Sequence, residues 1–249
     1  MSLLTNLQGY WKLDEISGNA TDSSGNDNTL ANTGVDYSSG KINNGADFER
    51  GDTTDVLLIT DGDQTGLDVT GNFTIAGWVK FESTPATGEI WIWTCKMDDI
   101  DADFSFEFGY RDDTGTQGLF FGESSDGDNS SSGINALIDW SPSNATWYHV
   151  AIVFDGGAVG AARARFYIDG VGSLSGVTSW HSSVFSGGGS FRLGNAPAAS
   201  RTPFDGMLDE FAIWDRSLTD SEIVSLYNSG SGLAYPLLAS TFTPKVMIF

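Results

Sequence analysis

Apolar and polar residues alternate through most of this chain in short stretches, the two-residue period of half-buried β-strands. The clearest is 73–81, where Phe73, Ile75, Val79 and Phe81 share one face and Gly77 allows a close approach on that face. Stretches 9–13, 46–49, 56–60, 89–97, 104–111, 118–123, 147–155, 164–169 and 191–194 read the same way. Within 104–111, Phe104, Phe106, Phe108 and Tyr110 fall on one side, and Ser105, Glu107 and Gly109 on the other. Residues 165–169 followed by Gly170-Val171 read as a hairpin with an Asp-Gly turn. Segments 98–103, 124–135 and 156–163 are acidic or glycine-rich and read as loops. Short strands at this spacing predict an all-β fold, an antiparallel sandwich of two sheets.

The pattern changes after the turn at Asp205-Gly206. A further strand sets Met207, Asp209, Phe211 and Ile213 against Leu208, Glu210, Ala212 and Trp214. A short helix follows: Thr219 is a good N-cap, Glu222 completes a capping box, and Asp220 places negative charge in the first turn. Ile223, Val224, Leu226 and Tyr227 give it an apolar side, and Gly230 is placed to end it.

This strand-then-helix ending closely resembles the close of laminin-G-like (concanavalin A-like) jelly-roll domains. Other stretches resemble that family in the same order. Gln8-Gly-Tyr-Trp-Lys-Leu-Asp-Glu15 leads into Asp22-Ser-Ser-Gly-Asn-Asp-Asn28. Then come Asn72-Phe-Thr-Ile-Ala-Gly-Trp-Val-Lys-Phe81, Thr146-Trp-Tyr-His-Val-Ala-Ile-Val-Phe-Asp155 and Arg165-Phe-Tyr-Ile-Asp-Gly170. The resemblance implies one jelly-roll domain over 1–232 with a single short C-terminal helix. Residues 233–249 lie beyond its usual end, carry two prolines and finish in four apolar residues. This tail is expected to pack back on its own domain or to dock on a neighbouring subunit, where strand addition would satisfy its backbone.

Composition narrows the function. The 249 residues suffice for one large sandwich, and 31 Gly, 16 Phe and 8 Trp suit many short strands joined by tight turns. Thirty-three acidic residues against 12 basic ones give a net charge of −21. That field repels phosphate backbones and anionic membranes, so nucleic acid is not an expected partner. It favours bound cations, although a high-salt habitat produces the same acidity. No run of about 18 apolar residues is available to span a membrane. Cys95 is the single cysteine, so no intrachain disulfide forms, and its strand-like setting reads as a packed core thiol.

Laminin-G-like modules are usually extracellular, yet residues 1–6 lack the basic and apolar stretches of an export signal. A bacteriophage virion protein, made in the cytoplasm and displayed on the particle, reconciles the two; so does a piece of a larger secreted protein.

Calcium is the ion to test, because hard oxygen ligands abound. Asp22, Asn26 and Asn28 lie in one turn that recurs in the resembling family, and the resemblance brings Asp209 of the last strand near the chain's start. A calcium bridge and a plain Asx-turn network both fit these residues. Asp99, Asp101 and Asp103 form an alternative that opens like an EF-hand, but Phe104 and Tyr110 stand where glycine and glutamate belong. Asp126 and Asp128 read as a solvated turn.

For a sugar ligand, Trp91 and Trp93 on one strand face are candidate stacking platforms or core residues. Trp140 and Trp180 sit among polar, turn-forming neighbours, and Arg201 in a loop is a candidate partner for an acidic sugar. Catalysis finds little support. Related glucanases use a Glu-x-Asp-x-x-Glu strand, which this chain lacks, and adjacent Asp209 and Glu210 are expected on opposite faces. Glu107 and Glu123 are the acids a glycosidase would require here, while His149 reads as structural and His181 lacks a nucleophile motif. The expected function is therefore non-catalytic recognition of a glycan or cell-surface polysaccharide. Structural decoration of a capsid or tail is the alternative.

Overall fold

The computed structural model describes residues 1–52, 54–113 and 115–238. In chain order its strands are β1 (Leu7–Trp11), β2 (Ala31–Thr33), β3 (Asp36–Ser39), β4 (Asn44–Phe48) and β5 (Val56–Ile59). They continue with β6 (Asn72–Phe81), β7 (Ile90–Lys96), β8 (Phe106–Asp113), β9 (Thr116–Glu123) and β10 (Ile134–Asp139). The last are β11 (Trp147–Asp155), β12 (Ala164–Ile168), β13 (Val171–Leu174), β14 (Phe191–Leu193) and β15 (Gly206–Trp214), followed by helix α1 (Asp220–Tyr227).

The strands form two antiparallel sheets. One runs β13-β12-β11-β6-β15-β4-β3, with β1 also paired to β15; the other runs β10-β9-β8-β7-β14-β5-β2. β15 lies beside β4 over its first residues and beside β1 over its last, which brings the two ends of the domain together.

Between the sheets the inward faces interleave into one core. Phe73, Ile75, Val79 and Phe81 of β6 meet Phe106, Phe108 and Tyr110 of β8 and Phe121 of β9. Each aromatic side chain removed from water here contributes about 2–3 kcal/mol of favourable transfer. Gly77 is required where it stands, because a Cβ would overlap the Phe211 ring of the neighbouring strand. Phe104 departs from the expected face. The chain bends before β8, Ser105 N–H donates to Lys96 O at 3.0 Å, and Phe104 packs with Ile92, Cys95 and Phe120 on the outer side of the second sheet.

The outer side of the first sheet carries a second apolar layer of Leu3, Leu7, Ala151, Trp214, Ile223 and Leu226. The helix over it begins with the expected capping box between Thr219 and Glu222. It ends earlier than expected, at Asn228 rather than Gly230. Asn228 adopts the left-handed conformation (φ 47°) and its Nδ2 donates to Gly232 O at 2.8 Å. Ile223 and Leu226 are buried, whereas Val224 is 51% exposed and not part of the packed side. The first part of the tail belongs to the domain: Leu237 is buried in this layer, and Tyr235 packs on Tyr10 with centroids 5.2 Å apart. Up to Leu237 the tail thus packs back on its own domain, one of its two expected placements. Residues 239–249, the rest of the expected docking tail, lie outside the described residues.

One buried cation fastens the second sheet. Lys96 closes β7 with its side chain 1% exposed. Its ammonium lies 2.9 Å from both Asp61 Oδ1 and Asp68 Oδ1, and donates to Gly189 O at 2.7 Å and Gly187 O at 3.3 Å.

Candidate ligand-binding site

Three of the four candidate tryptophans are core residues. Trp91 and Trp93 are fully buried and Trp180 is 1% exposed, all within the inter-sheet cluster. Trp91 and Trp93 point inward against Phe81 and Phe204, so a sugar ring has no face to stack on. Trp180 is drawn in although its sequence neighbours are polar, because its loop is tied down by His181 N to Glu123 Oε1 at 3.1 Å and Phe185 N to Ser124 O at 2.7 Å, with the indole 5.6 Å from the Phe121 ring. Trp140 is half-buried, edge-on to Tyr148 at 5.0 Å, and its carbonyl accepts from Tyr110 Oη at 3.1 Å.

Arg201 is not free to take an anion. Its Nε donates to Glu107 Oε2 at 2.7 Å and its Nη2 pairs with Glu107 Oε1. The two side chains are 8% and 1% exposed. The strands set this up: Glu107 stands opposite Cys95, and Cys95 opposite Arg192, in one row across β8, β7 and β14. The loop that delivers Arg201 is pinned by a turn, Arg201 N to Ala198 O at 2.9 Å, and by Thr202 N to Ile90 O at 3.0 Å. Beside it, Arg192 Nη2 donates to Asp98 Oδ1 at 2.7 Å and its Nε to Met97 O at 3.3 Å. Despite partial burial, the hydrogen bonds from Arg192 and Ser190 hold the Asp98 carboxyl below its ordinary range. Between these arginines, the loop 195–203 and the β2 and β5 edge lies a cleft of about 470 Å³. Its lining includes Thr33, Val56, Arg192, Ala196, Pro197 and Arg201. Sequence reasoning found Arg201, and noted Asp98 only beside the acidic run 99–103; it missed Arg192 and its pairing with Asp98, which joins residues 94 apart.

The calcium candidates do not come together. Asp22 Oδ1 accepts from Tyr10 N (3.0 Å) and Ser24 N (2.8 Å), and its Oδ2 from Ser24 Oγ (2.7 Å) and Asn28 N (3.0 Å). Asn26 Nδ2 donates to the carbonyls of Leu7 and Gln8, and Asn28 spans to Thr65 through both its amide atoms. This set does not fit a cation, because N–H and O–H donors already engage both oxygens of Asp22 and the side-chain oxygen of Asn28. Asp209 joins none of it: its Oδ2 accepts from Lys41 N (2.7 Å) and Ile42 N (2.8 Å). Asp99 accepts from Asp101 N at 2.9 Å, and no metal-like grouping includes Asp99, Asp101 or Asp103 among the described residues. The acids that do converge there are Asp47, Glu49 and Glu82, with ligand atoms within 4.8 Å of one another. Burial, then Glu82, raises the Asp47 carboxyl above its ordinary range. Chelator and millimolar calcium are expected to leave the melting temperature the same in a thermal scan. A calcium-dependent rise of several degrees would show that the folded chain binds the ion, and its loss with Asp22→Ala but not with Glu49→Ala would place the ion at Asp22.

Asp209 and Glu210 do not lie on opposite faces. Glu210 has φ 51° at a register shift between β15 and β6, an extra residue that turns both side chains outward. Glu210 pairs with Tyr10 Oη, while Asp209 Oδ1 and Glu210 Oε1 have no hydrogen-bond partner. Burial raises Asp209 to about 8 and Glu210 to about 7. His149 closes the same chamber with Trp78 and Leu226, and its burial lowers it to about 3. Cys95 is fully buried, and that burial pushes its thiol up.

The acids named for hydrolysis point to opposite sides of one sheet. Glu107 faces outward onto Arg201. Glu123 faces the interior, where it accepts from His181 N at 3.1 Å and lies 3.1 Å from His181 Nδ1.

A two-sheet antiparallel sandwich with a short helix closing the chain is the architecture of concanavalin A-like domains. The Laminin_G_3 family model, described as concanavalin A-like lectin/glucanases superfamily, matches residues 50–224, and the chain belongs to that family. Among solved structures it is similar to domain 4 of AbnA, a GH43 extracellular arabinanase from Geobacillus stearothermophilus, in complex with arabinotriose. There the identity is 22% and the TM-score 0.65, covering 88% of this chain and 97% of that one. It is also similar to the binding domain of Paraclostridial Mosquitocidal Protein 1, at 17% identity and TM-score 0.68, covering 92% of this chain and 53% of that one. The binding domain of botulinum neurotoxin DC in complex with SialylT matches at 14% identity and TM-score 0.68, covering 92% and 52%. The chain thus spans about half the length of these toxin binding domains. These likenesses define the fold. No curated protein sequence matches the chain.

Proposed function

We propose that this chain is a non-catalytic glycan-recognition module whose ligand seats in the cleft beside Arg192 and Arg201. The observation that carries the reading is the pair of guanidinium groups fixed at that cleft by Glu107 and Asp98. Fixed N–H donors, one on β14 and one on a pinned loop, meet sugar hydroxyls without first losing rotamer freedom. The bound arabinotriose on a domain of the same fold supports this, as does the outward-inward separation of Glu107 and Glu123, which keeps those two acids from facing one another across a scissile bond. Among the described residues no aromatic side chain lines the cleft, so each site is expected to bind weakly. Display in many copies, as on a virion surface, would offset that through avidity. A glycan array probed with multimerised protein tests the reading. Binding to at least one oligosaccharide class is expected, and silence across plant, bacterial and host glycans would overturn it.

A further inference from the structure

Resting on that glycan reading, we infer that the cleft selects neutral sugars and rejects acidic ones. An arginine-lined cleft in a lectin-like fold at first suggests a carboxylate or sulfate ligand. Here, however, each guanidinium already holds a carboxylate. Arg201 makes a two-point contact with Glu107, and Arg192 donates to Asp98 at 2.7 Å. Nη1 of Arg201 turns to Ser200 Oγ at 3.0 Å. Both cations are therefore balanced within the protein before any ligand arrives.

An incoming anion would compete with Glu107, which is 1% exposed and placed by the strand register, so displacing it would strand a charge in the sheet. The chain's field adds to this, since a net charge of −21 repels anions at long range. What the cleft offers is a mixture of donors and acceptors: guanidinium N–H groups of Arg192 and Arg201 and the hydroxyls of Thr33 and Thr54, each both donor and acceptor. Val56, Ala196 and Pro197 supply small apolar contacts. Vicinal hydroxyls, each both donor and acceptor, complement that mixture, and a C–H edge of a sugar fits the apolar part. The cleft volume of about 470 Å³ lies in the range of small-molecule sites.

The experiment compares multimerised protein on neutral oligosaccharides (arabinan, galactan and glucan fragments) and on sialylated, uronate and sulfated glycans, between 50 and 500 mM NaCl. Neutral binding at least about ten-fold above acidic binding, and less than about two-fold dependent on salt, is expected. Two variants locate the site. Ala199→Trp fills the cleft from its exposed loop and should abolish binding while the melting temperature is kept. Asp98→Asn removes the half-exposed partner of Arg192 and should gain binding to acidic glycans. Preference for acidic glycans in the parent protein, or no gain with Asp98→Asn, overturns the inference while leaving glycan recognition intact. Neutral binding untouched by Ala199→Trp overturns the location. No binding to any glycan overturns the glycan reading itself.

Discussion

Replacing Glu107 with alanine is expected to destabilise the domain by about 3–5 kcal/mol, measured by urea unfolding at pH 7. The size follows from what remains, not from what is removed. Arg201 is 8% exposed, and without Glu107 its guanidinium keeps Ser200 Oγ as a partner but loses both oxygens that balance its charge. Arg201→Ala should cost a similar amount by leaving a carboxylate that is 1% exposed. The double variant with methionine at both positions is expected to recover most of the loss, since filling the site with apolar volume removes both buried charges together. Additive losses in the double variant would show that the pair is not energetically coupled.

The second large effect is a pH dependence from the pair at the β15 bulge. Burial raises Asp209 from its ordinary 3.8 to about 8 and Glu210 from 4.5 to about 7. The folded protein therefore retains protons that the unfolded chain has lost. Stability falls as pH rises from about 4, and the penalty is complete once pH passes the folded values near 7 and 8. His149 acts in the opposite sense: held neutral to about 3, it withdraws stability as pH falls below 6.5. Glu210→Gln removes one source of the alkaline loss. It should stabilise the domain by about 2–3 kcal/mol at pH 8.5 and change little at pH 4, read from urea titrations at both values. An equal effect at both pH values would mean that Glu210 is not the titrating group. Tyr10 and His149 line this chamber with Glu210. Asp14 raises and Lys12 lowers Glu210 through space, and Lys12 is itself paired with Asp14, while the Lys41 ammonium lies over the Trp78 ring at 4.4 Å.

Much of the fold was legible because local chemistry and tertiary packing agree. The alternation in 73–81 survives as β6, Gly77 stands where a ring crosses, and Thr219 with Glu222 starts the helix as their spacing requires. β2 and β3 escaped notice because Ala31–Thr33 and Asp36–Ser39 are short, largely exposed edge segments with no apolar period. β10 was half hidden in an acidic stretch for the same reason, with only Ala136 buried.

The candidate site was less legible. Sequence spacing cannot show that Trp180 is pulled into the core by a loop, nor that Arg201 finds Glu107 94 residues away. Nor does it show the bulge, since strict alternation places Asp209 and Glu210 on opposite faces and only a positive φ at Glu210 sets them side by side. A departure from period two at adjacent acids is visible only in the pairing register.

Lys96 has a bearing on how this domain withstands its surroundings. Two carboxylates and two carbonyls around one positive atom form the kind of oxygen nest that many β-proteins fill with a dissociable metal. Here the occupant is tethered by its own side chain, so dilution, dialysis or a sequestering agent cannot empty it. The knot between β7 and the loops that cross it keeps the same strength whether divalent ions are scarce or plentiful.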